Sequence, residues 1–390
     1  MRTRSIGLSL FAGLALIVSA CGNGATTAPS QPAATGTAST TPTEAATPAP
    51  SSSLKIGVVT DVGTVDDKNF NQYSFEGAQK GATDIGAPAP QVTVPKDASE
   101  YAADIQAFID QGYNIVVTVG FNLANDTVKA AKANPNVWFI GVDQAPCIDA
   151  NGDPDSTFAC AGDVATLLPH FIGLQYKEDQ AGYLAGIVAG SITKAKIVGA
   201  IGGINLVPAV VRYIQGYELG VKSVDPSIVV KSDYVSTSDF GVAFNDPGTG
   251  KTFAGQFIDT NHVDVLFQVA GKTGNGILES ACAKGIMGIG VDVDQWLSLS
   301  ADTTPAYNCI VTSAEKHLSS SVEQTINAIA AGTAKGGVLN FDATNDGIGA
   351  SAEHDGKGLI TADIQAKLDA ALAAMKAGTL TTCPATCGQP

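Results

Sequence analysis

The residues of this 390-residue chain best placed to do chemistry are polar groups and glycines at the ends of apolar runs. Asp61 closes the run Leu54–Asp61, Gly120 and Phe121 end Asn114–Gly120, and Asp143 closes Val137–Asp143. Farther on, Gly202-Gly203, Gly271 and Asp292 end later runs, and Lys316 follows the run carrying Ser313, at the start of a helical stretch. If the runs are parallel strands, these positions lie at the carboxyl edge of a sheet, where open α/β folds bind ligands. Carboxylates there accept paired hydrogen bonds from a ligand with vicinal hydroxyls, and glycines let it approach the backbone closely. An aspartate at such a junction also serves as a helix N-cap, so each position alone says little. Their recurrence along the chain is what points to binding.

Catalysis finds no comparable support. Gly250-Lys251-Thr252 and Gly271-Lys272-Thr273 resemble P-loop fragments, but the glycine required five residues earlier is Asn245 in one and Leu266 in the other. The stretch from Asp342 to Glu353 approaches a calcium loop, yet its third position is Thr344. The histidines, His170, His262, His317 and His354, are scattered, and no Ser-His-Asp or Cys-His arrangement has suggestive spacing. The expectation is a binding protein with no metal and no cofactor.

The elements that must position these residues alternate between β-branched runs and helical stretches. Besides the runs named, strands are expected at Gln91–Pro95, Lys196–Gly202, Ile228–Val235, Val263–Ala270, Met287–Asp294 and Cys309–Ser313. Several are almost wholly apolar, as parallel strands covered on both faces must be. Helices are expected at 101–111, 176–193, 315–331 and 357–378, where apolar residues recur at helical spacing. About nine strand–helix units exceed one open sheet, and the pattern breaks near Pro169–Lys177, so two lobes are expected.

The ends of the chain read differently. Arg2 and Arg4 precede an apolar run from Ile6 to Ala20, which is short for a membrane span and has the form of an export signal. Val18-Ser19-Ala20-Cys21 resembles a bacterial lipobox, in which Cys21 is diacylated; an ordinary secretory signal is the alternative. Residues 22–53 hold 26 Ala, Thr, Pro or Ser in 32 and no Val, Ile, Leu or Phe, too little apolar surface to fold. As a flexible tether they would reach roughly 30 Å. Six further cysteines fit an oxidising compartment, and chain order favours the pairs Cys147–Cys160, Cys282–Cys309 and Cys383–Cys387.

The segment Thr60-Asp61-Val62-Gly63-Thr64-Val65-Asp66-Asp67-Lys68-Asn69-Phe70-Asn71-Gln72 resembles the N-terminal signature of the basic membrane protein family of ABC-transporter substrate-binding lipoproteins. So do Val119-Gly120-Phe121, Phe139 to Asp143, Gln180 to Gly186, Ala270 to Gly274, Gly290 to Gln295 and Thr312 to Lys316, in order across almost all of 54–380. The resemblance implies an α/β periplasmic-binding-protein fold of type I, with two doubly wound parallel sheets joined by three hinge crossovers. The expected organisation is a signal at 1–20 and a lipidated Cys21 with its tether at 21–53. An N-terminal lobe at 54–175 plus about 300–335 follows, then a C-terminal lobe at 176–299 plus about 336–380 and a cysteine-clipped tail at 381–390.

The resemblance also implies a purine nucleoside ligand, held without a cofactor. Phe70 and Phe244 correspond to the two aromatic residues that sandwich the base, with Phe240 the alternative to Phe244. Stacking on such faces is worth about 1–3 kcal/mol per base. Asp61 and Asn71 would bond the ligand from the first lobe, and Asp143 the base edge. Asp292 would hold ribose hydroxyls, with Gly271 giving access and Lys316 assisting; Phe121 completes the expected site. The partners implied are an ABC permease with its ATPase, and a membrane reached through the lipid anchor, the receptor itself being a monomer. Two rival readings are a receptor for a sugar or furanosyl compound, and a sensor or surface lipoprotein uncoupled from transport.

With 37 acids against 22 bases, the chain carries a formal charge of −15, which excludes a nucleic-acid polymer as partner. From Leu54 onward there are 36 acids and 20 bases. A body so acidic is not drawn to anionic lipid by charge, and it suits an uncharged ligand better than an anionic one.

Overall fold

The computed structural model describes residues 52–300 and 307–389. The expected signal and tether, including Cys21, lie outside the described residues apart from Ser52 and Ser53. Twelve strands are formed among the described residues: β1 (Ile56–Thr60), β2 (Gln91–Thr93), β3 (Ile115–Val119), β4 (Trp138–Val142), β5 (Phe171–Tyr176) and β6 (Ile197–Gly202), then β7 (Val229–Tyr234), β8 (Val265–Val269), β9 (Met287–Asp292), β10 (Ile310–Lys316), β11 (Gly337–Phe341) and β12 (Ile348–Ala350). They build two six-stranded sheets, ordered β11-β5-β4-β3-β1-β2 and β12-β10-β9-β8-β6-β7. All neighbours run parallel except β10 and β12. Strands β1, β3 and β8 are buried at every residue, which explains their uninterrupted apolar sequences.

The helices are α1 (Phe70–Asp84), α2 (Tyr101–Asp110), α3 (Ala124–Ala133), α4 (Val164–Leu167), α5 (Glu178–Ile192), α6 (Pro208–Val224), α7 (Phe240–Asn245), α8 (Pro247–Asn261), α9 (Gly271–Ala283), α10 (Gln295–Ser300), α11 (Leu318–Ala330) and α12 (Ala362–Lys376). None is long and apolar enough to cross a membrane. The small-residue face of α5 lets α6 approach so closely that a Cβ on Gly182 would sit 2.2 Å from the Tyr213 carbonyl oxygen. These two helices cover one face of the second sheet, where α5 meets β8, β10 and β12.

The chain passes between the sheets three times: from β5 to α5 at Lys177, from β10 to α11 at His317, and from β11 to β12 at 342–347. The crossings are tied together, since Lys177 N–H donates to the Phe341 carbonyl at 2.9 Å and His317 N–H to Gly347 at 3.0 Å. Several sequence expectations need correction here. The break at 169–177 contains strand β5. The 309–313 strand runs on to Lys316 and pairs with β9 in the second sheet, not the first; only α11 returns, packing on α1. Strand β11, expected in the second lobe, pairs with β5 in the first sheet. Lys316 therefore ends a strand instead of opening a helix.

Disulfides join Cys147 to Cys160, Cys282 to Cys309, and Cys383 to Cys387. The second ties the end of α9 to the residue before β10. The near-calcium stretch forms a short turn that Asp342 caps by accepting from Thr344 N–H at 2.7 Å.

Candidate functional site

A cleft of about 660 Å³ opens between the carboxyl edges of the two sheets. All nine residues expected from sequence line it: Asp61, Phe70, Asn71, Phe121 and Asp143 from the first lobe, and Phe244, Gly271, Asp292 and Lys316 from the second. Asp61 directly follows β1, Phe121 opens the turn after β3, and Asp143 follows β4. Asp292 and Lys316 end β9 and β10. Asp143 and Asp292 occupy matching places in the two sheets, and both hold positive φ, at 58° and 65°. Aspartate tolerates that region better than most side chains.

Local sequence explains how each group is aimed. Gly120 has φ +116°, and a Cβ there would lie 2.1 Å from the Asp61 carboxyl carbon. Only glycine leaves room for that carboxylate, which accepts Val62 N–H at 2.6 Å and Asn122 N–H at 3.2 Å. Burial pushes the pKa of Asp61 up to about 7 despite these donors, and the charge on Asp143 adds to the rise. Asp67 caps α1, accepting from the N–H groups of Asn69, Asn71 and Gln72. Phe70 and Asn71 are thereby fixed at the helix start. The Asn71 amide donates to the Val62 carbonyl at 2.8 Å, leaving its Oδ1 buried with no hydrogen-bond partner.

Across the cleft, Phe244 rests against Gly203, where a Cβ would lie 2.6 Å from its ring. Gly271 starts α9 with φ +50°, facing the Phe244 carbonyl. Phe244, rather than Phe240, is therefore the aromatic residue of α7 that lines the cleft.

The floor of the cleft is a buried charge cluster at the hinge. Lys316 Nζ lies 2.6 Å from Asp143, 3.5 Å from Asp292 and 3.8 Å from Glu178, and 4.9 Å from the centre of the Phe70 ring. Arg212 holds the other oxygen of Glu178 at 2.6 Å. Tyr213 donates to Asp292 at 3.2 Å. Burial alone would lower the pKa of Lys316, but Asp143, Asp292 and Glu178 outweigh it and hold the ammonium above its ordinary value. Burial raises Asp143 to about 6 against the pull of Lys316, and it raises Asp292 as well. The groups facing the cleft are thus mostly acceptors between apolar and aromatic walls, an arrangement for holding a flat, donor-bearing solute.

The cleft also contains Asp67, Tyr213, Val207, Val210 and Lys272, which sequence reasoning did not single out. Asp67 could have been found as the aspartate two residues before the helix-opening Asn69. Tyr213 carries no such signal, since on an amphipathic helix it reads as core.

Contacts between the lobes close over the site. Asn275 of α9 donates to the Asp67 carbonyl at 3.0 Å, and Ser298 of α10 to the Lys68 carbonyl at 2.8 Å. Lys272 pairs with Asp66 at 3.6 Å.

Comparison with known proteins agrees with this fold. The family described as ABC transporter substrate-binding protein PnrA-like matches residues 54–375. The CD4+ T-cell-stimulating antigen of Listeria monocytogenes is 29% identical over 333 residues, covering 82% of this chain and 85% of that protein. The ABC transporter nucleoside-binding protein BmpA of Lactococcus lactis subsp. cremoris is 30% identical over 253 residues, 62% of this chain and 64% of that one. A solute-binding protein of an Aeropyrum pernix ABC transporter shares the fold, with TM-score 0.69 at 20% identity over 84% of this chain and 92% of that one.

Proposed function

This chain belongs to the family of PnrA-like ABC transporter substrate-binding proteins, and from that premise we propose that it is a lipid-anchored receptor for a purine nucleoside. Family membership makes it a binding receptor and not an enzyme, working outside the cytoplasm with a small-molecule ligand and a permease. The observation that supports the finer reading is that Phe70 and Phe244, from different lobes, both line a cleft whose remaining polar groups are mostly acceptors. The base lies between the two rings, with its donor edge toward Asp61 and Asn71. Asp292 and Lys316 take the sugar hydroxyls, and Asp143, pinned by Lys316, offers its free oxygen beside them. Ligand touching both lobes favours the closed form by its differential affinity, and the closed form docks on the permease. The name of the Lactococcus relative supports the ligand class.

Calorimetry of the unfolded and refolded protein, freed of carried-over ligand, with inosine, guanosine and adenosine tests this. Binding of at least one is expected, and no binding of any at millimolar concentration refutes the nucleoside reading. Lipidation at Cys21 is tested separately: Cys21→Ala should shift the protein from the membrane fraction to the soluble one.

A further inference from the structure

Asp292 is the second lobe's acceptor for the sugar of a bound nucleoside, and its two oxygens are not equally free. Tyr213 Oη lies 3.2 Å from Oδ1, and Lys316 Nζ lies 3.5 Å from the same atom. The Tyr213 hydroxyl is also 3.4 Å from the Ala314 carbonyl. A phenol has a single proton to donate, and the nearer, charged acceptor takes it. Burial holds that phenol well above its ordinary pKa, so the proton stays on Tyr213 beside the carboxylate. Oδ2 has no partner among the described residues, yet it is not sealed off, and Asp292 borders the cleft. A ligand therefore meets Oδ2.

We propose that Tyr213 sets the sugar selectivity of the receptor: by occupying one oxygen of Asp292, it leaves the carboxylate able to take one sugar hydroxyl and not a vicinal pair; this rests on the nucleoside reading above. A carboxylate clasps a vicinal diol with both oxygens, one hydroxyl to each. Here the second hydroxyl comes up against an oxygen that already accepts from a phenol and faces an ammonium. The receptor thus discriminates weakly between ribose and a sugar lacking that hydroxyl. Tyr213 is held in place for this role. It stands on α6 with its ring edge-on to Phe267, the ring centres 6.1 Å apart, and it is buried, so a ligand does not push it aside.

The test is calorimetry on the full chain, freed of carried-over ligand, with inosine, guanosine and adenosine and the 2′-deoxy and 3′-deoxy form of each. For the nucleoside bound most tightly, one of its two deoxy forms is expected to bind within about threefold of it, since no hydrogen bond to a charged acceptor is lost. In Tyr213→Phe that gap should widen to about tenfold, because the freed oxygen then holds the second hydroxyl. The substitution keeps the ring and its packing, and a purely structural loss would weaken ribose and deoxyribose forms alike, leaving the gap unmoved. A gap in the wild-type chain clearly beyond threefold for both deoxy forms overturns the role of Tyr213, and this arm decides even if the variant does not fold. A gap that Tyr213→Phe leaves unchanged overturns it equally. In both cases the nucleoside reading stands, whereas failure of every nucleoside to bind the wild-type chain overturns both.

Discussion

At Gly120 a single missing methyl group decides where Asp61 can sit, because the carboxylate occupies the space a Cβ would fill. Gly120→Ala should therefore expel Asp61 from the cleft and weaken ligand binding at least tenfold, measured by calorimetry. Phe70→Ala should cost about tenfold or more, given the worth of one stacked face; unchanged affinity would remove Phe70 from the site. The raised pKa of Asp61 also has a stability consequence. In the unfolded chain this carboxyl ionises near pH 4, whereas in the folded protein it keeps its proton to about 7. The folded state binds more protons across that window, so Asp61 makes stability fall as pH rises from about 4 to 7. Asp61→Asn should flatten that part of the melting-temperature profile of the ligand-free protein, leaving the variant relatively more stable at pH 7.5 than at pH 5. At this scale the sequence is informative where a residue ends an apolar run or matches a family motif, as Asp61, Asp143 and Asp292 do. It is silent about Tyr213 and Glu178, whose importance comes from what packs beside them. Nothing in a one-dimensional pattern reveals that Lys316 meets three carboxylates from three different elements.

Elements are legible by their composition and not by burial alone, since β5 is buried at five of six residues yet escapes the pattern, whereas the largely exposed β7 does not. Strands β1, β3, β4 and β8 stand out as near-continuous apolar runs because neighbours cover both faces. Strand β5, with Gly173 and Gln175 in its middle, does not, and β11 is a partly exposed edge whose Leu339 is 42% accessible. Which sheet a strand joins is a different kind of fact. Periodicity reports how a strand is covered, not which strands flank it, so the sequence expectation puts β10 and β11 each on the wrong side. The disulfide between α9 and β10 closes a 27-residue separation, whereas the one in the tail closes four. Chain-entropy arguments put the longer loop at roughly 3–4 kcal/mol and the shorter near 2. Paired Cys282→Ala and Cys309→Ala substitutions should lower denaturant stability by about that larger amount, and the tail pair by clearly less.

Over the whole molecule, the cross-lobe bonds from Asn275 and Ser298 to the Asp67-Lys68 turn belong to the closed form, since they join different lobes. Neither side chain is among those lining the cleft. A doubly substituted Asn275→Ala, Ser298→Ala protein should thus bind several-fold more weakly through a shifted opening equilibrium alone. Small-angle scattering should show the ligand-free variant more extended than the parent; equal affinity and equal radius would deny these bonds a part in closure. The interleaving of the sheets bears on how such a chain reaches its folded state. The first sheet draws its last strand from Gly337–Phe341 and the second from Ile348–Ala350, while α1 finds its partner helix more than 230 residues downstream. No single cut yields two self-sufficient halves. A chain crossing a membrane from its N-terminus would hold both edges unfinished until nearly all of it had emerged, which makes the final fifth of the sequence the step that seals both lobes at once.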